Sequence, residues 1–348
     1  MTELPRLMAL ATAVPPYKLS QGDIASRAKR WFAGADSFEL ESMLGVFDNA
    51  GIDTRYSTVP LDWYDVPHGW GERNSLYLEN ALALIEQAAV KALEAAHLDA
   101  GDIDAVVTVS TTGIATPSLD AMLMSRLKLR ADLRRLPIFG LGCAGGVLGL
   151  SRAAELARAA PRSKILFLVV ELCGLSFQGG EFTKSNIVAT ALFGDGAAAA
   201  ILSCDGEGPV LRESGEWTWP NSLGVMGWDV AENGLKAIFS RHIPALVRRD
   251  LHRTASNFLE RHGLNIQQVA HFVCHPGGAK VIEALEGAFG LDPGRLTEAR
   301  SVLRDFGNMS AATVLFVLER TLQAEATGRI LMTALGPGFT AGFQLIEA

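Results

Sequence analysis

Three side chains in this sequence have the types and spacing that acyl-transfer chemistry requires: Cys143, His275 and Asn308. A thiol can accept an acyl group, while an imidazole and a carboxamide can hydrogen-bond a developing oxyanion or enolate without attacking it. Cys143 lies in Gly-Leu-Gly-Cys-Ala-Gly-Gly, ahead of the amphipathic run Ser151 to Ala160. At the amino end of a helix, unpaired N–H groups and the helix dipole favour thiolate, so a lowered pKa is expected there. Gly142, Gly145 and Gly146 are expected to leave room for a substrate carbonyl. His275 ends the apolar run Phe272-Val273-Cys274 and precedes Pro276-Gly277-Gly278, a turn that aims its ring out of a sheet. Each residue also has a plainer use, as a packed thiol, a satisfied core histidine or a helix cap.

The elements that must position these residues come from a duplication. Cys143 and Asn308 are 165 positions apart, the same spacing that separates Ile165 from Ile330. Upstream, Leu98 to Val107 matches Leu264 to Val273 at a spacing of 166. Helical periodicity covers Leu78 to Ala96 in one half and Pro244 to His262 in the other. Each half therefore reads helix, strand, tight glycine turn, helix, strand. Polar groups gather where equivalent strands end, at Ser110-Thr111-Thr112 and at Cys274-His275, where open α/β sheets place ligands. The expected division is residues 1–210 for the half carrying the cysteine and 211–348 for the half carrying the histidine and asparagine.

With 348 residues, 49% hydrophobic and 20% charged, the chain can bury a large core. No apolar run approaches the roughly 20 residues of a membrane helix, and Met1 to Leu19 lacks the pattern of a secretory signal, so a cytoplasmic protein without a transmembrane segment is expected. A net charge of −7 with dispersed cations argues against a nucleic-acid partner. The four cysteines show no Cys-x-x-Cys spacing, so neither a disulfide framework nor a metal site is expected.

Five motifs together resemble the type III polyketide synthases, the chalcone and stilbene synthase family: Gly142 to Gly146, Ala191 to Ala199, His275 to Gly278, Gly307 to Ala311, and Gly336 to Phe339. The resemblance implies an α/β chain with the duplicated thiolase-like αβαβα fold, working as a homodimer. It implies that Cys143 takes an acyl starter from an acyl-CoA. His275 and Asn308 would hold the thioester oxygen of malonyl-CoA as it loses carbon dioxide, and the enolate would extend the starter. Coenzyme A thioesters are then substrates, and no metal or redox cofactor is implied.

Phe193 matches the family's gatekeeper phenylalanine, between the coenzyme A tunnel and the cavity. Ala237 stands where plant members commonly carry a second gatekeeper phenylalanine, which implies a wider passage. Cys173 matches a cavity-lining position of bacterial members. Thr112 and Thr116 lie in a loop that, in that branch, reaches the cavity and the partner's cavity wall, and Gly338 is assigned to the substrate site as well. These features favour a long-chain acyl starter closed to an alkylpyrone or alkylresorcinol. The alternatives are a malonyl-only synthase making a small phenol or tetrahydroxynaphthalene, and a ketoacyl synthase III-like enzyme, whose histidine motif usually continues Gln-Ala-Asn. A non-catalytic thiolase-fold scaffold would have no need of all three reactive residues.

One stretch departs from the family. From Trp31 to Thr54 there is no Lys or Arg, while Asp36, Glu39, Glu41, Asp48 and Asp53 are present, at the place where members commonly hold coenzyme A phosphates with cations. Either Arg27, Lys29 and Arg30 take that role, or the acyl donor arrives on a carrier protein.

Overall fold

The computed structural model describes residues 3–32 and 44–348. Nine strands form one mixed sheet: β1 (Arg6–Ala13), β4 (Ala105–Val109), β5 (Arg134–Ile138), β6 (Ile165–Leu172), β7 (Asp195–Ser203), β8 (Val210–Thr218), β11 (His271–Cys274), β12 (Arg329–Gly336) and β13 (Thr340–Glu347). Their order is β11-β12-β13-β8-β1-β7-β6-β4-β5. The hairpins β2 (Tyr17–Ser20) with β3 (Thr54–Ser57) and β9 (Met226–Ala231) with β10 (Gly234–Phe239) stand apart from it.

Read outward from the centre, β1-β7-β6-β4 and β8-β13-β12-β11 repeat one arrangement, with the parallel pair β4 and β6 answered by β11 and β12. The two copies are joined where β1 meets β8. Only the first carries the further edge strand β5. The corresponding stretch of the second copy is the helix α9 (Thr297–Phe306). Its apolar residues Ala299, Val302 and Leu303 recur at helical spacing and are buried.

Strands β4, β6 and β7 are buried along their whole length and mostly apolar, because both faces are covered. Along β6, Ile165, Phe167 and Val169 join one core, while Leu166, Leu168 and Val170 join the other. The long helix α2 (Trp70–Ala95) and the shorter α3 (Leu119–Leu127) cover one face. The equivalent helices α4 (Gly145–Ala159) and α10 (Thr313–Gln323) form the central layer. Helices α7 (His252–Arg261), α8 (Ala279–Phe289) and α9 pack into the same second core. These layers constitute the thiolase-like arrangement. No helix among the described residues is long and apolar enough to cross a membrane.

Candidate active site

The starts of α4 and α10 meet at the centre of the molecule, and this contact sets the positions of Cys143 and Asn308. A methyl group on Gly146 would lie 2.3 Å from the Ala311 carbonyl oxygen, and one on Gly145 would meet Val109 at 2.6 Å. Gly142 has φ +47°, and a side chain there would strike Pro337. These three glycines therefore face protein, which corrects the expectation that they clear space for a substrate. Gly145 and Gly146 let the two helix starts approach one another, both lying against Ala311.

Cys143 sits in the short turn Gly142–Ala144 at the head of α4 and is buried. His275 follows β11, its backbone N–H donating to the Thr333 carbonyl at 2.9 Å. Asn308 precedes α10, its backbone N–H donating to the Leu192 carbonyl at 2.8 Å. All three line one cavity of about 560 Å³. The Asn308 carboxamide has a defined orientation, since its Oδ1 accepts the Ser310 N–H at 2.8 Å. Its Nδ2 makes only a long contact, 3.4 Å, to the Gly277 carbonyl, so the donor side remains available to the cavity.

The His275 ring is buried with neither nitrogen hydrogen-bonded. Burial lowers its pKa to about 4. Burial also pushes the Cys143 thiol up to about 12, opposed by its contact with Ser310 and reinforced by Glu171. Loss of hydration thus favours the neutral thiol, the opposite direction from the lowered pKa that the helix terminus led one to expect. Its hydrogen-bond partner is Ser310 Oγ at 3.7 Å rather than His275.

Two further groups at this centre were not anticipated. Glu171, the one charged residue of β6, is fully buried and receives Thr111 N–H at 2.9 Å, Thr112 Oγ1 at 2.8 Å and Ser310 Oγ at 3.3 Å. Burial raises its pKa to about 7. Ser310 thus links the Cys143 thiol to the Glu171 carboxyl. A lone acid within an otherwise apolar strand was the signal for it in the sequence.

The remaining site residues are distributed differently. Phe193 and Cys173 line a second, narrow apolar cavity of about 40 Å³, while Leu192, next to Phe193, lines the large one. Phe193 therefore stands at the wall between the two spaces. Ala237 packs on this wall, but it pairs across the hairpin with Trp228. The Trp228 and Phe239 rings lie 5.9 and 5.6 Å from Phe193, so neighbouring aromatics occupy part of the space that Ala237 leaves. Thr112, Thr116 and Gly338 line neither cavity. The Thr112 hydroxyl is committed to Glu171, Thr116 is exposed, and the Gly338 carbonyl accepts from Ser222 Oγ at 2.9 Å.

Arg27 is paired with Asp62 and Asp65, and Arg30 with Asp65, and neither they nor Lys29 line the large cavity. Lys184, Arg241 and Lys280 do. Asp36, Glu39 and Glu41 lie outside the described residues. Asp48 and Asp53 are exposed.

Comparison with known proteins agrees with this architecture over the whole chain. Residues 4–206 match the model of the chalcone and stilbene synthase N-terminal domain, and residues 211–346 that of the C-terminal domain. A Bacillus subtilis protein named for chalcone synthase is 37% identical, with 98% of each chain covered. The 1,3,6,8-tetrahydroxynaphthalene synthase of Streptomyces peucetius is also 37% identical, over 97% of this chain and 92% of that protein. The crystal structure of the Streptomyces coelicolor 1,3,6,8-tetrahydroxynaphthalene synthase, a bacterial type III polyketide synthase, superimposes with a TM-score of 0.93 at 28% identity, covering 98% of this chain and 99% of that one. Matched in sequence and in fold from end to end, this chain belongs to the chalcone and stilbene synthase family of type III polyketide synthases, which are acyltransferases.

Proposed function

We propose that Cys143 carries the growing acyl chain, and that His275 and Asn308 hold the thioester oxygen of malonyl-CoA during its decarboxylation. The observation that carries this reading is the convergence of the three side chains on one cavity, with both imidazole nitrogens unpartnered. In loading, Sγ attacks the acyl-CoA carbonyl, the bond to coenzyme A sulfur breaks, and the thiol proton passes by way of His275 to the departing thiolate. In extension, malonyl-CoA loses carbon dioxide, and its enolate oxygen accepts hydrogen bonds from Asn308 Nδ2 and His275. The enolate carbon then bonds to the acyl carbon and Cys143 leaves. The carbon–carbon bond forms from the enolate alone, so no metal or redox group is called for.

Burial explains how the cysteine is activated in this scheme. Each group alone is driven to its neutral form by burial, whereas thiolate and imidazolium formed together by transfer of one proton offset one another.

The starter in this reading is a long-chain fatty acyl group, and the product an alkylpyrone or alkylresorcinol. Support comes from the apolar side chains behind Phe193, among them Leu19, Ile24, Leu61 and Phe177, which offer an alkyl chain a surface to pack against. A malonyl-only synthase is the second reading, favoured by the likeness to the Streptomyces peucetius enzyme. The working unit is a homodimer in either case. Edge strand β5 is exposed along most of its length, with Leu136 and Phe139 exposed at it and Ile114 also exposed, so an apolar edge is available to a second copy.

Malonyl-CoA supplied with acyl-CoAs of two to eighteen carbons, with products identified by mass, tests the starter. Fatty starters used faster than short ones support the first reading. Full turnover on malonyl-CoA alone establishes the second.

A further inference from the structure

Arg55 on β3 is buried, and its guanidinium lies across the carbonyl end of helix α5 (Lys184–Leu192). Nη1 donates to the Thr190 and Phe193 carbonyls, each at 2.8 Å, and Nη2 donates to the Ala191 carbonyl at 2.6 Å and to Gln21 Oε1. Gln21 Nε2 in turn donates to the Ala191 carbonyl at 3.1 Å. The remaining carbonyl of this stretch, that of Leu192, accepts the Asn308 N–H at 2.8 Å. The main chain from Thr190 to Phe193 is therefore held by Arg55 and Asn308 together. Arg55 also packs against the next residues of both segments. Its Cβ lies 3.4 Å from where a methyl would stand on Gly194 and 3.5 Å from where one would stand on Gly307, the glycines beside the parallel pairing of Phe193 with Asn308.

The last carbonyls of a helix carry partial negative charge and suit a cation. Burying an arginine is costly all the same, and Asp195, a buried carboxyl that its charge reaches, instead accepts the Thr58 and Gly174 N–H groups at 2.8 and 2.7 Å. Burial lowers the Arg55 pKa only to about 10, so the guanidinium is charged at neutral pH. A rigid planar fork spread over the carbonyls of residues 190, 191 and 193 fixes both where the helix stops and the direction in which the chain leaves it. We propose that Arg55 is a positioning residue for the decarboxylation step, holding the end of α5 so that the Phe193 and Asn308 junction presents the Asn308 carboxamide to the cavity it shares with His275. This rests on the role proposed above for Asn308. Cys143 stands on a different element, the turn before α4, so its loading is independent of Arg55.

The test uses Arg55→Lys, which keeps the charge but lacks the planar fork, and Gln21→Ala, which frees one corner of the guanidinium at less risk to folding. Carbon dioxide release from malonyl-CoA, single-turnover acylation of Cys143 by acyl-CoA read by intact mass, and thermal unfolding are measured for each variant and for wild type. In Arg55→Lys, kcat for carbon dioxide release is expected to fall about tenfold or more with KM and Cys143 acylation unchanged, because a small misplacement of one group at the reacting centre costs at least that much. Gln21→Ala should show the same split at roughly threefold, the effect of one lost hydrogen bond, and it decides the matter if Arg55→Lys does not fold. Release unchanged in both variants overturns the proposal. A fall in release matched by an equal fall in acylation overturns it too, since loosened packing alone would give that result. Asn308→Ala, run alongside, separates the two claims: release at the wild-type rate there overturns the assignment of Asn308, on which the role of Arg55 depends.

Discussion

Phe193 and Asn308 are paired as a parallel β-bridge: the Asn308 carbonyl accepts the Gly194 N–H at 3.0 Å, and the Asn308 N–H donates to the Leu192 carbonyl. The Phe193 ring and the Asn308 carboxamide are thus fixed to one backbone junction. Phe193→Ala removes a buried ring but leaves this junction, which is made by main-chain atoms. It is expected to destabilise the protein by about 3 kcal/mol or more. The two cavities should merge, shifting products toward longer starters while carbon dioxide release from malonyl-CoA persists. Product masses and thermal unfolding check both effects.

Asn308→Ala removes the donor proposed to hold the enolate oxygen and leaves the Ser310 N–H without its acceptor. Carbon dioxide release from malonyl-CoA should fall about a hundredfold or more, the usual cost of losing one oxyanion donor. Asn308→Asp should be no better, because a carboxylate accepts where the amide donates. Radiolabelled carbon dioxide release measures both.

The duplicated frame was legible because matching residues recur at one spacing, and the frame located Cys143, His275 and Asn308. Gly145 and Gly146 were misassigned because the approach of two equivalent helix starts is a contact between distant segments, which no linear pattern displays. The burial that raises the Cys143 pKa was not legible, because helix polarity is visible in a sequence and the depth of burial is not. Ser310 stood two positions from Asn308 in a small-residue motif and gave no sign that it would connect Cys143 to Glu171. Substrate-lining positions were the least legible, since they depend on which hydroxyls the interior has already engaged, as Thr112 shows.

The packing of the glycines has its own test. Gly146→Ala places a methyl 2.3 Å from the Ala311 carbonyl and should cost about 1–3 kcal/mol or more, with loss of activity as α4 and α10 separate. Gly287→Ala, in α8 with nothing within 4 Å of the added methyl, should stabilise by about 0.5–1 kcal/mol. Denaturant titration compares the pair.

Glu171 makes stability depend on pH. Its folded pKa, about 7, lies above the ordinary 4.5, so the folded state binds the proton more tightly. The stabilisation is complete below pH 4.5 and is lost as pH rises through 7, on the order of 3 kcal/mol in all. Asp195, raised to about 6, acts in the same direction. His275, lowered to about 4, acts oppositely, its stabilisation being lost as pH falls from 6.5 through 4. The difference between wild type and Glu171→Gln isolates the first term: the variant's advantage should grow between pH 5 and 8. A constant difference would show that Glu171 is ionised throughout.

The central claim is that His275 and Asn308, in the cavity headed by Cys143, decarboxylate malonyl-CoA to an enolate. Carbon dioxide release by purified wild type and by His275→Ala tests it most directly. Steady release by wild type and a fall of about a hundredfold or more in the variant is the expected result. Equal release by both, or none by wild type, would contradict it.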